Sequence, residues 1–314
     1  MSNNNVFITG GSGTLGKELV AQLYNYVEKI TIYSRTESRQ EEMRALFPEY
    51  PDNKMRYILG DVQDLDHLRR AIPGHDTVIH AAAMKFVDRS EYNAQECLRN
   101  NVDGTQNVAL ACAETRVRHA MFVSSDKACA PVSHYGATKM IGERIWTSAN
   151  NLSPICQFNC VRYGNVVGST GSVFKKWDAL AKQGKPLQIT DARMTRYYWH
   201  VSDASLFLIK CLRDSDTHNE RGCVYVSKMQ SYNMDAIAKR FVDATFEYTG
   251  LRCLEKLHED LISSHESGTC YDCDKYYAIL PACHDWINNL PKRGELVPEG
   301  FSLKSSDSPR DVLI

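Results

Sequence analysis

Two side chains four residues apart carry the first chemical signal. Tyr135 and Lys139 stand in the run Tyr135-Gly136-Ala137-Thr138-Lys139, and on a helix that spacing sets both on one face, a turn apart. An ammonium beside a phenol favours the phenolate and draws its pKa down from about 10 toward the working range. Such a pair can take the proton of a sugar hydroxyl while hydride leaves for a nicotinamide. Ser125, in the run Ser124-Ser125-Asp126-Lys127 just upstream, can hydrogen-bond the same hydroxyl. A Tyr and a Lys four apart are common on ordinary helices, so the meaning of the pair depends on its surroundings.

Those surroundings include a glycine-rich turn. Val6-Phe7-Ile8-Thr9 reads as a strand, followed by Gly10-Gly11-Ser12-Gly13-Thr14-Leu15-Gly16 and then a helix. In the spacing G-x-x-G-x-x-G, Gly10 allows the tight turn, Gly13 lets backbone approach a pyrophosphate, and Gly16 packs helix on strand. The helix N-terminus then offers N–H groups and a positive dipole end to the phosphates. The second strand ends Tyr33-Ser34-Arg35. An acid there would take the ribose 2′-hydroxyl of NAD, whereas Arg35, with Ser34 and Arg39, suits the 2′-phosphate of NADP. Asp61 and Val62 follow the third strand, where an acid can accept from the adenine amine. Ala81 and Ala82 follow the fourth, where small side chains leave room for the cofactor, and Lys85 lies just beyond.

Positioning these groups takes alternating elements. Short β-branched runs at 5–9, 29–33, 55–59, 77–80, 119–124 and 155–161 alternate with amphipathic stretches such as 15–26 and 135–149. Repeated strand–helix–strand units predict an α/β, Rossmann-type doubly wound parallel sheet. Residues 1–165 are expected to form the NADP-binding core. Residues 166–314 are expected to be mainly a smaller C-terminal substrate-binding lobe, interleaved with that core, with helices near 203–213 and 234–246.

Composition narrows the class. The chain has 314 residues, 43% hydrophobic and 24% charged, which is ordinary for a folded globular protein. Its 37 Lys and Arg against 38 Asp and Glu argue against bulk capture of nucleic acid or an anionic membrane. No apolar run approaches the roughly 20 residues of a membrane span, and nothing near Met1 reads as a signal peptide. Eleven irregularly spaced cysteines fit reduced thiols in a cytoplasmic protein. Cys270-Tyr271-Asp272-Cys273, with Cys253 before it and Cys283-His284 after, is too loose for a zinc site, so no metal is expected.

Taken together, the glycine turn and Tyr135/Lys139 resemble the extended short-chain dehydrogenase/reductases. More closely, the chain resembles the soluble, inverting UDP-N-acetylglucosamine 4,6-dehydratases that feed pseudaminic acid biosynthesis. Ala81-Ala82-Ala83-Met84-Lys85, Asn101-Val102-Asp103-Gly104-Thr105 and Ser125-Asp126-Lys127-Ala128 carry the likeness. So do the stretch from Val161 to Ser169, Met194-Thr195-Arg196, Glu255-Lys256-Leu257-His258-Glu259 and Pro298-Glu299-Gly300-Phe301. Membrane-bound relatives replace the motif tyrosine with Met and carry added spans; this chain has neither feature. Ser125 stands where Thr is usual, which keeps the hydroxyl. Cys129 and His134 also depart from the pattern, and Trp199 lies one position beyond the usual close of an aromatic run.

The resemblance implies a hydro-lyase acting on a UDP-sugar with tightly bound NADP that is regenerated. Tyr135 would deprotonate the hydroxyl at carbon 4, Lys127 the activated carbon 5, and Asp126 would protonate the departing carbon 6 hydroxyl. A desolvated Lys127 among cations is expected to have the depressed pKa that a base needs. Lys85, Asn165, Thr195, Arg196 and Glu259 are the expected substrate contacts, Arg196 suiting a diphosphate through its forked geometry. A homo-oligomer, dimer or higher, is implied, with a helix over 93–114 available to pair across subunits. The nearest alternatives are a retaining 4,6-dehydratase or a 4-epimerase; a non-catalytic NADP sensor is the alternative of another class. Asp126-Lys127 speaks against the epimerase, which needs no acid/base pair at carbons 5 and 6.

Overall fold

The expected β-branched runs form strands β1 (Asn5–Thr9), β2 (Lys29–Ser34), β3 (Met55–Leu59), β4 (Thr77–His80), β5 (His119–Val123) and β6 (Gln157–Arg162). The structure is a computed structural model that describes residues 5–51, 53–169, 172–241, 244–282, 290 and 293–311. The six strands lie parallel in the order β3-β2-β1-β4-β5-β6. Successive residues such as Val6, Phe7 and Ile8 are all buried, because helices cover the sheet. Helix Thr14–Leu23 packs against Val201–His218, while Leu65–Ala71, Gly104–Ala113 and His134–Ser148 pack in a row. Chain order reverses between β1 and β4, which opens a crevice at the carboxyl ends of the strands.

The main sheet does not stop at residue 165. Val224–Ser227 adds in parallel beside β6, and Tyr276–Ile279, Cys270–Asp272 and Glu295–Leu296 extend the sheet antiparallel to ten strands. The smaller lobe has its own core around Trp177, Leu187, Ile189, Met194, Tyr198 and Ile237. Burying a side chain such as Trp177 stabilises the lobe by ~2–3 kcal/mol.

Two expected helices differ. The segment 234–246 is helical only over Met234–Ala238. Phe246–Tyr248 instead pairs with Leu187–Ile189, because two aromatics suit an open strand edge better than a helix; residues 242 and 243 lie outside the described residues. The segment 93–114 is broken into Ala94–Leu98, a wide π turn at Arg99–Asp103, and Gly104–Ala113. At that turn Asn101 clamps the loop after β4, accepting from the Met84 N–H at 2.8 Å and donating to its carbonyl at 3.0 Å.

The Cys270 thiol is buried and Cys273 half-buried on and beside the strand Cys270–Asp272, second from the sheet edge, and Cys283 and His284 lie outside the described residues. Gly171 lies outside them too. Among the described residues no three His, Cys, Asp or Glu side chains converge as metal ligands, and no helix is long and apolar enough to cross a membrane.

Candidate active site

The glycine turn shapes the first cleft, about 530 Å³, through its backbone. Gly10 adopts φ +65°, and a Cβ there would lie 2.8 Å from the Ala82 backbone, so the turn after β1 and the loop after β4 touch. A Cβ at Gly16 would run into the Gly11 carbonyl. Helix Thr14–Leu23 starts with no acidic residue in its first turn, leaving its positive end open to an anion. Gly10, Ser12, Gly13, Thr14, Leu15, Gly16, Ser34, Arg35, Arg39, Asp61, Val62, Ala81, Ala82 and Lys85 all line this cleft. Ser12 donates to Ser34 Oγ at 3.1 Å, and Arg35 lies 3.5 Å from Asp61 and 3.8 Å from Glu96. A cradle closed to any Cβ, beside a helix N-terminus, fits a dinucleotide pyrophosphate.

At the far end of the cleft stand Ser125, Lys127, Tyr135 and Lys139. Ser133 caps helix His134–Ser148 by accepting from the Gly136 N–H at 3.1 Å, which fixes Tyr135 in the first turn. Asp126 is fully buried; its Oδ1 accepts from Ser125 Oγ at 2.8 Å and Lys127 Nζ at 3.0 Å, and its Oδ2 has no hydrogen-bond partner among the described residues. Burial pushes the Tyr135 phenol up to about 12; Lys127 and the Ser125 hydroxyl pull it down, and Asp126 adds to the rise.

Here two expectations need correcting. Lys139 is pushed down to about 8 by burial, and its Nζ donates to the Val123 carbonyl at 2.7 Å. The cation that draws Tyr135 down is Lys127. Nor is Lys127 depressed. Burial alone would lower its pKa, but Asp126 and Glu259 outweigh burial and hold the ammonium above its ordinary value.

A second cleft, about 740 Å³, meets the first along Lys85, Phe86, Arg89, Lys127, Asn165, Val166 and Ser169. It is cationic: Lys85, Arg89, Lys127, Lys176, Arg196, Arg252 and Lys256 line it against Asp88, Glu255 and Glu259. The ammonium of Lys85 is held below its ordinary value by desolvation first, then by Arg39 and Lys175. Glu259 is buried with Oε1 at 3.4 Å from Lys127 Nζ, and Asn165 Oδ1 lies 3.5 Å from the same nitrogen. Arg196 lines the cleft, yet its NH1 and NH2 donate to the carbonyls of Thr195, Leu257 and Lys256. Thr195 stands behind the wall, its hydroxyl bonded to His258 and Ser305 at 2.7 Å each. Phe86, Arg89, Lys176, Tyr198 and Arg252 escaped the sequence reading, since no spacing links them.

A parallel sheet in this order, a glycine turn at its reversal point, and a Tyr135/Lys139 helix after β5 define a Rossmann-type α/β class of fold. Within that class the chain belongs to the polysaccharide biosynthesis protein family, whose profile matches residues 6–281. It is 40% identical to the "UDP-N-acetylglucosamine 4,6-dehydratase (inverting)" of Campylobacter jejuni, over 98% of this chain and 94% of that protein. It is 32% identical to the "UDP-glucose 4-epimerase" of Rickettsia massiliae, over 87% and 82% of the two chains. Among solved structures, Pen from Bacillus thuringiensis superposes with a TM-score of 0.87 at 29% identity, covering 98% of this chain and 96% of that one. The dTDP-glucose 4,6-dehydratase DesIV of Streptomyces venezuelae, solved with NAD, shares the fold at a TM-score of 0.72 and 19% identity, over 81% and 86%.

Proposed function

We propose that the chain is an NADP-dependent UDP-N-acetylglucosamine 4,6-dehydratase that inverts carbon 5. The observation that carries this reading is the Asp126–Lys127 pair, hydrogen-bonded at 3.0 Å where the two clefts meet beside Tyr135. A base for carbon 5 and an acid for the carbon 6 hydroxyl are what elimination demands and what simple oxidation does not. The relative at 40% identity, matched over 98% of this chain, bears that activity in its name.

The residues divide the work by position. Tyr135, with Ser125 beside it, takes the proton of the carbon 4 hydroxyl. The resulting ketone acidifies carbon 5, where Lys127 removes the proton while Asp126 protonates the leaving hydroxyl at carbon 6. A nicotinamide cofactor held in the first cleft would supply hydride acceptance from carbon 4 and hydride return to carbon 6, and so would be regenerated. Reprotonation of carbon 5 from the opposite face inverts that centre. The cationic second cleft suits the diphosphate, with Lys85 at its rim and Arg252 there held by Asp88 and Glu255. Arg35 and Arg39, with no carboxylate at the end of β2, favour NADP over NAD. Residues 1–165 thus hold mainly the cofactor and the later lobe mainly the sugar nucleotide. Ten free cysteines among the described residues suit the reducing cytoplasm, and exposed Tyr92, Leu98 and Met140 offer a face for a homo-oligomer.

Incubation with UDP-N-acetylglucosamine in deuterated water, followed by NMR, tests the reading. The expected product is a 4-keto-6-deoxy sugar labelled and inverted at carbon 5. An unchanged substrate overturns it. Epimerisation at carbon 4 without loss of water would favour the second reading, which the epimerase named at 32% identity keeps in play.

A further inference from the structure

One buried carboxylate has no place in that division of work. Glu259 comes from the C-terminal lobe, and its side chain is 5% exposed. Its Oε1 lies 3.4 Å from Lys127 Nζ and 3.9 Å from Arg196 Nε; its Oε2 lies 3.8 Å from Lys256 Nζ and has no hydrogen-bond partner among the described residues. The Ser305 hydroxyl accepts from the Glu259 N–H at 2.9 Å and fixes the backbone behind it. Two lobe cations therefore anchor the carboxylate, and its free reach is toward Lys127.

We propose that Glu259 is a positioning residue for Lys127: it holds the amine over the meeting line of the two clefts and sets when that amine gives its proton to Asp126. The inference rests on the dehydratase reading for its role in turnover, but the contact itself does not.

The proton balance closes inside the pair. Lys127 Nζ and Asp126 Oδ1 are 3.0 Å apart. One proton moving from nitrogen to oxygen turns ammonium and carboxylate into amine and carboxylic acid. These are the base and the acid that elimination needs, and no proton enters or leaves. The amine then takes the carbon 5 proton. The C–H electron pair forms the carbon 5–carbon 6 double bond, the carbon 6–oxygen bond breaks, and the acid's proton departs in water. Ammonium and carboxylate are restored.

Glu259 opposes the first transfer, because a negative charge 3.4 Å away favours the ammonium. That opposition has a use. While Lys127 stays charged it draws Tyr135 toward phenolate, which serves the earlier step. Once Tyr135 has taken its proton, this pull has no charge left to favour, and transfer to Asp126 becomes easier. The charged and titratable groups that bear on Lys127 are Asp126, Tyr135, Arg196, Tyr198 and Glu259, with Lys256 behind Glu259.

Glu259→Gln keeps the shape and removes the charge. Competitive acetylation of the whole protein without substrate, read at Lys127 by mass spectrometry, is expected to rise about tenfold between about pH 7 and 9. Glu259→Asp, which keeps the charge on a shorter arm, is expected to stay closer to the parent. With UDP-N-acetylglucosamine in deuterated water, the acid limb of carbon 5 exchange should move down by about one pH unit in Glu259→Gln. The limb for cofactor reduction should not follow it. Unchanged Lys127 acetylation in a folded Glu259→Gln protein overturns the proposal, and so do two limbs that move together. If Glu259→Gln does not fold, parent-like Lys127 acetylation in Glu259→Asp supports the proposal and a tenfold rise overturns it. A parent enzyme that leaves the sugar untouched sinks the dehydratase reading alone, since the acetylation arm needs no substrate.

Discussion

The two clefts are built from different material. The first is backbone work: Gly10 in a left-handed turn, Gly16 against the Gly11 carbonyl, and a helix N-terminus, all within one short stretch after β1. The second is side-chain work, drawn from segments as far apart as Lys85 and Glu259 and held by buried charges. A backbone cradle depends on what cannot be added to it. A charged wall depends on what cannot be removed. The clefts should therefore fail under opposite kinds of substitution, and Tyr135, in the first cleft beside the Lys127 where they meet, should feel both.

The largest effect is expected at that meeting point. Tyr135→Phe removes the proton acceptor and leaves the ring, so turnover should fall by about 10³-fold while cofactor binding and melting temperature barely move. Next comes the charged side. Arg162 is buried between Glu143 of the Tyr135 helix, at 2.7 Å, and Glu266 of the C-terminal lobe, at 2.9 Å. Arg162→Met strands both carboxylates and should cost about 3–5 kcal/mol in urea unfolding. A loss below about 1 kcal/mol would mean that this buried charge network tolerates removal after all.

On the backbone side, Gly16→Ala adds one methyl group. It should cost about 2 kcal/mol of stability and weaken dinucleotide binding at least tenfold by calorimetry, because helix and turn must separate. Side-chain changes in the same cleft should be milder and selective. Arg35→Ala is expected to weaken NADP about 30-fold and leave NAD within about threefold, since only one of them presents a 2′-phosphate to a guanidinium. Equal loss of both would place Arg35 with the cradle and not with the choice of cofactor.

The same contrast decides what the sequence could disclose. β1 to β6 appear within about two residues of the runs that predicted them, because alternation and glycine spacing are local properties. The groups lining the first cleft sit at fixed offsets from those strands. Asn101 shows where local reading stops. Periodicity predicts an unbroken helix through it, while its amide reaches 17 residues back to clamp Met84. Lys127 makes the point for chemistry. Its sequence neighbours Asp126 and Cys129 do not reveal Glu259, which arrives from 132 positions later and, with Asp126, reverses the expected direction of the lysine's pKa. Arg196 was expected to be an open fork. Strand Thr195–Trp199 presents it to three backbone carbonyls that no spacing could announce.

The smallest expected effect marks the outer limit of the charged wall. Asp88, on helix Val87–Tyr92, and Arg252, in the C-terminal lobe, form an ion pair at 2.8 Å across the mouth of the second cleft. Both side chains are more than half exposed, at 75% and 60%, so water and salt screen the pair. Asp88→Ala should leave the melting temperature unchanged within about 1 °C and lower the KM for the sugar nucleotide by about twofold, because it removes one of the two carboxylates that hold Arg252 away from the diphosphate. Raising the salt to about 0.5 M should erase that gain. A tenfold change, or one that survives salt, would place the mouth pair among the buried charges, and the division between a screened rim and an unscreened interior would have to be redrawn.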